Sequence, residues 1–364
     1  MLMNLTLNVT LDRKDLVKAL VPLVLLVKGS PSLPLRQVRI SAYAAAAFPT
    51  YEASFRAYNG LRELTISVPT MDATVTGTIA LDVKDLLKFA RSSKGPLVTI
   101  MGDGTVVSGA LSVKLPTYPL ADLPEAPVER TDATVTDILD LGAIRRVVYA
   151  MSACESRPQM HGVLIESDAE GTHTVATDGH RLAVVSRLGR RTGVAPAPAY
   201  ELLIPYDAVV AILSAPATEA HASWGEDYLS LHTATYHLIT PLSGEKFPPW
   251  RRVVPAAYNR APITLPRRGL IAVLKSMGTT KAGVVLSASD DDGNTIVTCE
   301  ERGLSARLAT PWTGAPICVN PSYLRETIEG IAGETVTLEL DSLALKPLVL
   351  RDGDYTAVVM PVAM

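Results

Sequence analysis

The sequence predicts an α+β protein built from three tandem copies of one domain, and three observations support this. Most segments alternate apolar and polar residues in short runs bounded by turn residues, as in Glu63–Val68 and Tyr228–His232. Such alternation is typical of half-buried strands. Other segments space their apolar residues as helices do. These strands and helices recur in the same order in each third of the chain, which indicates a triplicated domain rather than a short solenoid repeat.

Each third contains two predicted helices, and each helix follows a short strand. Their starts are Asp12, Asp82, Asp140, Pro205, Pro266 and Asn320. Aspartate, asparagine and proline are favoured at helix N-termini, because they cap or dispense with backbone N–H groups that have no partner there. Pro22 falls inside the first helix, where we expect a kink or a new first turn.

Proline-containing connectors separate the thirds. They are Leu123–Pro127 and Val254–Ala257. We therefore predict three domains, with the bounds 1–126, 127–256 and 257–364.

Composition and cysteine usage exclude several classes of protein. Of the 364 residues, 48% are hydrophobic and 20% are charged, as in ordinary globular proteins. The longest aliphatic run, Val21–Val27, is too short to span a bilayer, and the first residues do not resemble a signal peptide, so we expect a cytoplasmic protein without membrane contact. Cys154, Cys299 and Cys318 are widely spaced, which predicts free thiols and no metal site. No phosphate-binding loop is present, and we expect no cofactor.

Charge is distributed unevenly along the chain. The formal net charge is −3, yet the predicted helices carry a positive excess and the strands and loops an acidic one. If the helices of all three domains share a surface, that surface would suit contacts with phosphates that are independent of base sequence. The alternative is that these cations cover ordinary solvated helix faces.

The octapeptide Ala176–Ala183 allows two interpretations. As a catalytic element it could pair Asp178 with His180 as an oriented base, but a hydrolase also needs a nucleophile, and none lies in a recognisable motif. As a binding element, the turn at Asp178-Gly179 would allow close approach of a partner's backbone. The segment Phe247–Val253 and the tail Val358–Pro361 would complete a groove for a linear peptide.

Together these segments resemble the β sliding clamp of bacterial DNA polymerase III. The similarity lies in Ala176–Ala183, in Phe247-Pro248 followed by Arg251–Pro255, in Asn320–Leu324, and in Tyr355 through Met360-Pro361. The resemblance runs in order along the whole chain. It implies clamp-type domains with antiparallel sheets outside and two helices each inside, and a head-to-tail homodimeric ring around duplex DNA.

The resemblance also implies a non-catalytic accessory subunit without cofactor or metal. Its partners would be duplex DNA, a replicative DNA polymerase, a clamp loader, repair proteins and a second copy of the chain. Partner peptides would dock between the second and third domains. The implied groove residues are Met160, Thr177, Gly179, His180, Arg181, Leu182, Pro248, Arg252, Val253, Tyr323, Pro347, Val358, Val359, Met360 and Pro361.

The expected DNA-facing residues come from two sources. Arg157 occupies a position that touches DNA in the family. The others are candidates from charge and helix placement, namely Lys28, Lys88, Arg145, Arg146, Arg267, Arg268 and Lys275.

The chain departs from the family pattern in its tail, Val362-Ala363-Met364, at Pro249-Trp250, and in the tyrosine-free loop Glu155–Gln159. Charged edge strands for a ring joint are not evident near Val106–Lys114 or Leu304–Leu308, so apolar edge pairing is expected instead. The unusual tail leaves open a variant clamp, from a phage or an antibiotic-resistance context, with altered partner or inhibitor binding. The remote alternative is a hydrolase that uses Asp178 and His180.

Overall fold

A computed structural model describes residues 7–30, 32–44, 51–75, 77–125, 135–188, 199–255, 258, 262–278, 280, 282–341 and 346–362. The predicted domain boundaries, after residues 126 and 256, lie outside the described residues, as do Ala363 and Met364 of the tail. The three-domain bounds therefore stay a prediction.

One order of elements occurs three times: a strand, a helix, a group of strands, a second helix and three more strands. The first copy contains β1 (Asn8–Asp12), α1 (Arg13–Leu26), β2 (Gln37–Ala44), β3 (Tyr51–Tyr58), β4 (Glu63–Pro69), β5 (Asp72–Val75), β6 (Gly77–Asp82), α2 (Val83–Ser92), β7 (Leu97–Met101), β8 (Thr105–Ser108) and β9 (Leu111–Lys114).

The second copy contains β10 (Val135–Asp140), α3 (Leu141–Val147), β11 (Gly162–Ser167), β12 (Gly171–Thr177), β13 (Arg181–Leu188), β14 (Tyr200–Pro205), α4 (Tyr206–Leu213), β15 (Glu219–Trp224), β16 (Tyr228–His232) and β17 (Tyr236–Pro241). The third contains β18 (Ile263–Pro266), α5 (Arg267–Met277), β19 (Val284–Ala288), β20 (Asn294–Cys299), β21 (Leu304–Pro311), β22 (Ile317–Val319), α6 (Pro321–Glu329), β23 (Thr335–Glu339), β24 (Leu348–Asp352) and β25 (Tyr355–Val359). The predicted threefold order is confirmed.

The helices begin where their capping residues predict. The side chain of Asp12 accepts a hydrogen bond from the backbone N–H of Lys14 at 2.7 Å, and Asp82 and Asn320 cap α2 and α6 in the same way. Pro22 is buried inside α1, which continues through it to Leu26. Of the two outcomes expected at Pro22, a kink or a new first turn, the second is therefore wrong.

The chain divides into two compact units that cut across the predicted thirds. Unit 1 comprises Met1–Leu141 and Val210–Leu242, and unit 2 comprises Gly142–Val209 and Ser243–Met364. The main sheet of unit 1 has the order β10-β15-β16-β17-β4-β3-β2-β6, and that of unit 2 has the order β14-β11-β12-β13-β25-β24-β23-β18. Each main sheet thus combines strands of two consecutive copies, through antiparallel pairing of β17 with β4 and of β13 with β25.

Each unit also holds a smaller sheet and a packed pair of helices. In unit 1, α1 packs against α2 and against β3 and β4, beside a sheet with the order β5-β1-β7-β8-β9. In unit 2, α5 packs against α6, beside a sheet with the order β21-β20-β19-β22. Within the described ranges, no helix is long and apolar enough to cross a membrane.

Candidate functional site

A tight turn between β12 and β13, in unit 2, shapes the Asp-Gly-His-Arg segment. The Oδ1 atom of Asp178 accepts hydrogen bonds from the backbone N–H groups of His180 at 2.9 Å and Arg181 at 3.1 Å. The hydroxyl of Thr177 donates to the carbonyl of Arg181 at 2.7 Å. Gly179 has a φ of +89°, a conformation that L side chains rarely adopt. Residues 177–181 therefore form a rigid turn with Gly179 and His180 exposed at its tip.

These contacts disfavour the hydrolase hypothesis. The second carboxylate oxygen of Asp178, Oδ2, accepts from Nε of Arg181 at 3.0 Å. The imidazole of His180 instead stacks against Tyr323, with ring centroids 6.0 Å apart. In the described part of the chain, no hydrogen bond joins the Asp178 carboxylate to the His180 ring. The carboxylate thus holds a turn rather than orienting a catalytic base.

Arg181 connects this turn to helix α6. Its side chain is only 9% exposed, and its guanidinium forms ion pairs with Asp178 and with Glu326 of α6. The guanidinium carbon also lies 4.5 Å from the ring centroid of Tyr323 and 5.2 Å from that of Tyr149. The sequence suggested that Arg181 is a donor for a partner peptide. Since its Nε and Nη1 atoms already donate to Asp178 and Glu326, Arg181 also positions Tyr323 and the turn.

The C-terminal tail is fixed against the same turn. Strand β25 pairs with β13, so that Val358 lies opposite Leu182 and Val359 opposite Arg181. The backbone N–H of Met360 then donates to the carbonyl of His180 at 2.9 Å. Past this point Pro361 bridges to β22, and the N–H of Val362 donates to the carbonyl of Cys318 at 2.8 Å. The side chain of Met360 remains 36% exposed beside His180.

The turn, the tail and the segment before β18 converge on one apolar cluster. The cluster consists of Leu164, Val175, Leu182, Val184, Val349 and Val358, and Phe247, Trp250, Val254 and Tyr258 pack against it. The indole N–H of Trp250 donates to Glu166 at 2.8 Å, and Arg251 pairs with the same carboxylate at 2.6 Å. We call this cluster, together with the exposed His180 and Met360 beside it, the groove, after the peptide site that the resemblance implies.

The remaining residues predicted for the groove lie outside the apolar cluster. Met160 and Pro248 are half-buried, whereas Arg252 and Val253 are exposed on the segment that carries Trp250. The carbonyl of Pro347 accepts a hydrogen bond from the hydroxyl of Tyr258 at 2.7 Å. Val359 is buried, but as β25 alternates it faces away from Val358 and the cluster.

Sequence reasoning missed most of the floor of the groove. Leu164, Val175, Val184 and Val349 were not predicted, and neither was the pairing of Glu166 with Trp250. The alternation of β13 could have indicated Val184, because it lies two residues from Leu182 and shares its face. Leu164, Val175 and Val349 join the cluster only because of how distant strands pair, and the sequence carries no local signal for that pairing.

Two buried rings beneath the groove have shifted pKa values. Burial lowers the pKa of His173, and the nearby charge of Arg251 lowers it further. His173 lies 5.6 Å from the Trp250 ring, and its Nδ1 is 2.9 Å from the hydroxyl of Ser186. Burial raises the pKa of Tyr355, whose hydroxyl lies 2.6 Å from that of Tyr149. Both groups are therefore neutral at pH 7.

The DNA-facing candidates fall into two groups. Lys28, Lys88, Arg145 and Arg268 are exposed on or beside helices. The second group has these contacts: Arg146 pairs with Asp354 at 2.6 Å, Arg157 donates to the carbonyl of Asp178 at 3.3 Å, Arg267 donates to the last carbonyls of α6, and Lys275 pairs with Glu329 at 3.5 Å. Arg146 and Arg267 thus hold structural contacts that sequence reasoning did not predict.

Among the described residues, no group of three or more His, Cys, Asp or Glu side chains is arranged to hold a metal ion.

The repeated order of strands and helices defines an α+β protein of the clamp type, and the comparisons agree. Residues 140–249 match the family model for the DNA polymerase III beta subunit, central domain. The beta sliding clamp of Vibrio cholerae is 24% identical over 306 residues, which is 79% of this chain and 82% of that protein. The beta sliding clamp of Escherichia coli K12 is 28% identical over 167 residues, and that alignment spans only 44% of its length.

The fold similarity extends further than the sequence similarity. A sliding clamp (DNA polymerase III subunit beta) from Pseudomonas aeruginosa, solved with griselimycin bound, has a TM-score of 0.80 at 23% identity, over 98% of this chain and 100% of that one. In sequence and in fold the chain is thus similar to the DNA polymerase III β subunit, or β sliding clamp, family.

Proposed function

We propose that this protein is a sliding clamp that encircles duplex DNA and tethers a replicative polymerase and other partners to it. The observation that carries the proposal is the clamp fold along nearly the whole chain, combined with the groove in unit 2. A tether of this kind has no catalytic step. It keeps the polymerase at a high effective concentration near the primer end, which makes synthesis processive.

The groove is proposed to bind linear peptides of the polymerase, the clamp loader and repair proteins. Its apolar floor around Leu182 and Val358 suits the aliphatic or aromatic side chains of a peptide, and the exposed His180 and Met360 at its rim suit directional contacts. The Pseudomonas clamp of the same fold binds griselimycin, which provides a ready probe.

Two open sheet edges support a homodimeric ring. Strand β9 ends one sheet and is exposed along its whole length, with Leu111 at 40% and Val113 at 38%. Strand β21 ends the other small sheet, and its Leu304 is 36% exposed. Exposed apolar edge strands tend to pair with another chain. A head-to-tail ring in which β9 pairs with β21 of the partner subunit would give both edge strands a hydrogen-bonded neighbour.

Duplex DNA is proposed to pass through this ring and to contact the exposed cations Lys28, Lys88, Arg145 and Arg268. Such contacts act on phosphates, so binding would be independent of sequence and weakened by salt. The clamp would work in the cytoplasm, alongside chromosome replication.

Retention on circular DNA tests the topological claim. Protein loaded on a nicked circle by its clamp loader should stay bound and should leave when the circle is linearised. Equal loss from circular and linear DNA would contradict the proposal. A Leu111→Arg variant, in which the proposed joint carries a buried charge, should be monomeric by light scattering and should not be retained.

Calorimetric titration with griselimycin tests the groove. His180→Ala should weaken binding about tenfold, the loss expected when one well-placed contact is removed. His232→Ala, which removes a histidine of unit 1, is the matched control and should bind as the unmodified protein does. Equal affinity of both variants would rule out the groove as the binding site.

A further inference from the structure

The turn between β3 and β4 in unit 1 repeats the geometry of the Asp178 turn. The side-chain oxygen of Asn59 accepts from the backbone N–H groups of Leu61 at 3.0 Å and Arg62 at 2.8 Å, as Asp178 does in unit 2. Gly60 has a φ of +93°, close to the +89° of Gly179. Strand register extends the correspondence, because Tyr58 lies opposite Glu63 as Thr177 lies opposite Leu182. The fold therefore builds the architecture of the groove a second time.

The second copy carries charges where the groove carries apolar side chains. By register, Arg39, Arg56 and Glu63 occupy the positions that Leu164, Val175 and Leu182 occupy in unit 2. A short 3-10 turn at Leu120–Asp122 follows Pro119, as the turn at Trp250–Arg252 follows Pro249.

Where Trp250 and Phe247 fill the groove's edge in unit 2, the second copy has an open cavity. The cavity measures about 440 Å³, and Arg39, Arg56, Tyr58 and Glu63 line it together with Pro34 and Leu120. We call it the arginine cavity. Its volume falls within the range of sites that enclose small ligands.

The polar groups of the arginine cavity are incompletely satisfied. Arg56 pairs with Glu63 at 2.5 Å, and the Glu63 side chain is only 5% exposed. Burial raises the pKa of Glu63, against the opposing effect of Arg56. The Nε atom of Arg39 is buried and has no hydrogen-bond partner within the described ranges. Arg56 thus takes up the Glu63 carboxylate while Nε of Arg39 is left without an acceptor, and a buried donor without an acceptor is unfavourable.

We propose that the arginine cavity binds a carboxylate presented by an acidic side chain of a partner's peptide. Arg39 would supply a charge-assisted hydrogen bond to that carboxylate, with the planar geometry that guanidinium groups favour. The aliphatic neighbours of the acidic residue would lie against Leu120, in the segment that corresponds to the groove's Trp250 segment, and against Pro34. This site goes beyond the proposed function and is chemically distinct from the groove.

Titration of the full-length protein with acetylated, amidated peptides tests the proposal. The probe is Leu-Glu-Leu-Pro, and the matched control peptide replaces its glutamate with glutamine. The glutamate peptide should bind at least about tenfold more tightly than the glutamine peptide, since the contact with Arg39 depends on charge. Equal binding of the two peptides, or binding of neither, would overturn the proposal without recourse to any variant.

Variants then locate the site. Arg39→Gln should abolish the preference for glutamate while leaving griselimycin binding unchanged, and His180→Ala should do the reverse. A failure of the arginine cavity to bind the glutamate peptide is thereby distinguished from a failure of the groove to bind griselimycin. An undiminished preference in a folded Arg39→Gln protein would place the peptide elsewhere. If free acetate competes at the same concentration as the peptide, the peptide assignment is overturned and the cavity is a small-carboxylate site.

Discussion

Replacement of Arg181 with methionine is expected to destabilise unit 2 by about 2–3 kcal/mol. The Arg181 side chain is 9% exposed and pairs with both Asp178 and Glu326. Removal of one member of a fully buried pair costs about 3–5 kcal/mol, because the other charge is left buried and unpaired. Glu326 is 32% exposed and keeps a contact with Arg325 at 3.4 Å, so we expect a smaller loss than for a fully buried pair, about 2–3 kcal/mol.

The double variant Arg181→Met/Glu326→Gln isolates the cause. If the unpaired carboxylate accounts for the loss, neutralising it should restore about 1 kcal/mol or more. A chain of 364 residues does not unfold in one step, so hydrogen–deuterium exchange in β13 and β25 is the appropriate measure of local stability. Griselimycin affinity should fall in the single variant, since Tyr323 loses the cation beside its ring.

The matched control is Lys275→Met, which removes an exposed ion pair with Glu329 in the same unit. Side-chain exposures of 58% and 41% predict a loss of under about 1 kcal/mol. If Arg181→Met proves no more destabilising than this control, Arg181 does not connect the turn to α6 and the reasoning fails.

Three further predictions concern the groove and its support. Gly179→Ala should lower the free energy of local unfolding by about 1–2 kcal/mol, measured by hydrogen–deuterium exchange in β12 and β13, because an L residue is strained at φ +89° although the added methyl has room. Leu182→Ala should lower the free energy of unfolding of unit 2 by about 2–5 kcal/mol and weaken griselimycin binding, because Leu182 is only 3% exposed in the apolar cluster. A loss of stability below about 1 kcal/mol would contradict the assignment of Leu182 to the floor of the groove. The depressed pKa of His173 means that the unfolded chain binds a proton more readily, so stability present above pH ~6.5 falls as the pH drops below that value. His173→Gln should flatten this pH dependence of local stability, measured between pH 7.5 and 5 by hydrogen–deuterium exchange in β12 after correction for the intrinsic exchange rate. An unchanged slope would exclude His173 as its cause.

The starts of the helices could be predicted from the sequence because they depend on neighbouring residues. Asp12, Asp82 and Asn320 cap backbone N–H groups two and three positions ahead, so the signal and the structure lie within one turn. The rigid turn at Asp178-Gly179 was predictable for the same reason. Pro22 is the exception, since α1 tolerates it where local preference favours a break.

The candidate site was predicted only in part. The resemblance placed Leu182 and Val358 in one groove, and the structure brings them together on paired strands. The roles of individual side chains did not follow, because a partner 145 residues away takes up the guanidinium of Arg181. Burial and ion pairing of this kind depend on the path of the whole chain.

By itself, the sequence determined the threefold order of strands and helices, the helix starts and the glycine turns, since these reflect periodicity and capping within a few residues. Only the tertiary structure decided that β17 pairs with β4 and β13 with β25, so that each main sheet joins two consecutive copies. It also decided that equivalent positions form an apolar floor in one unit and a charged cavity in the other. Pairing of distant strands sets which side chains share a surface, and no local pattern encodes that choice.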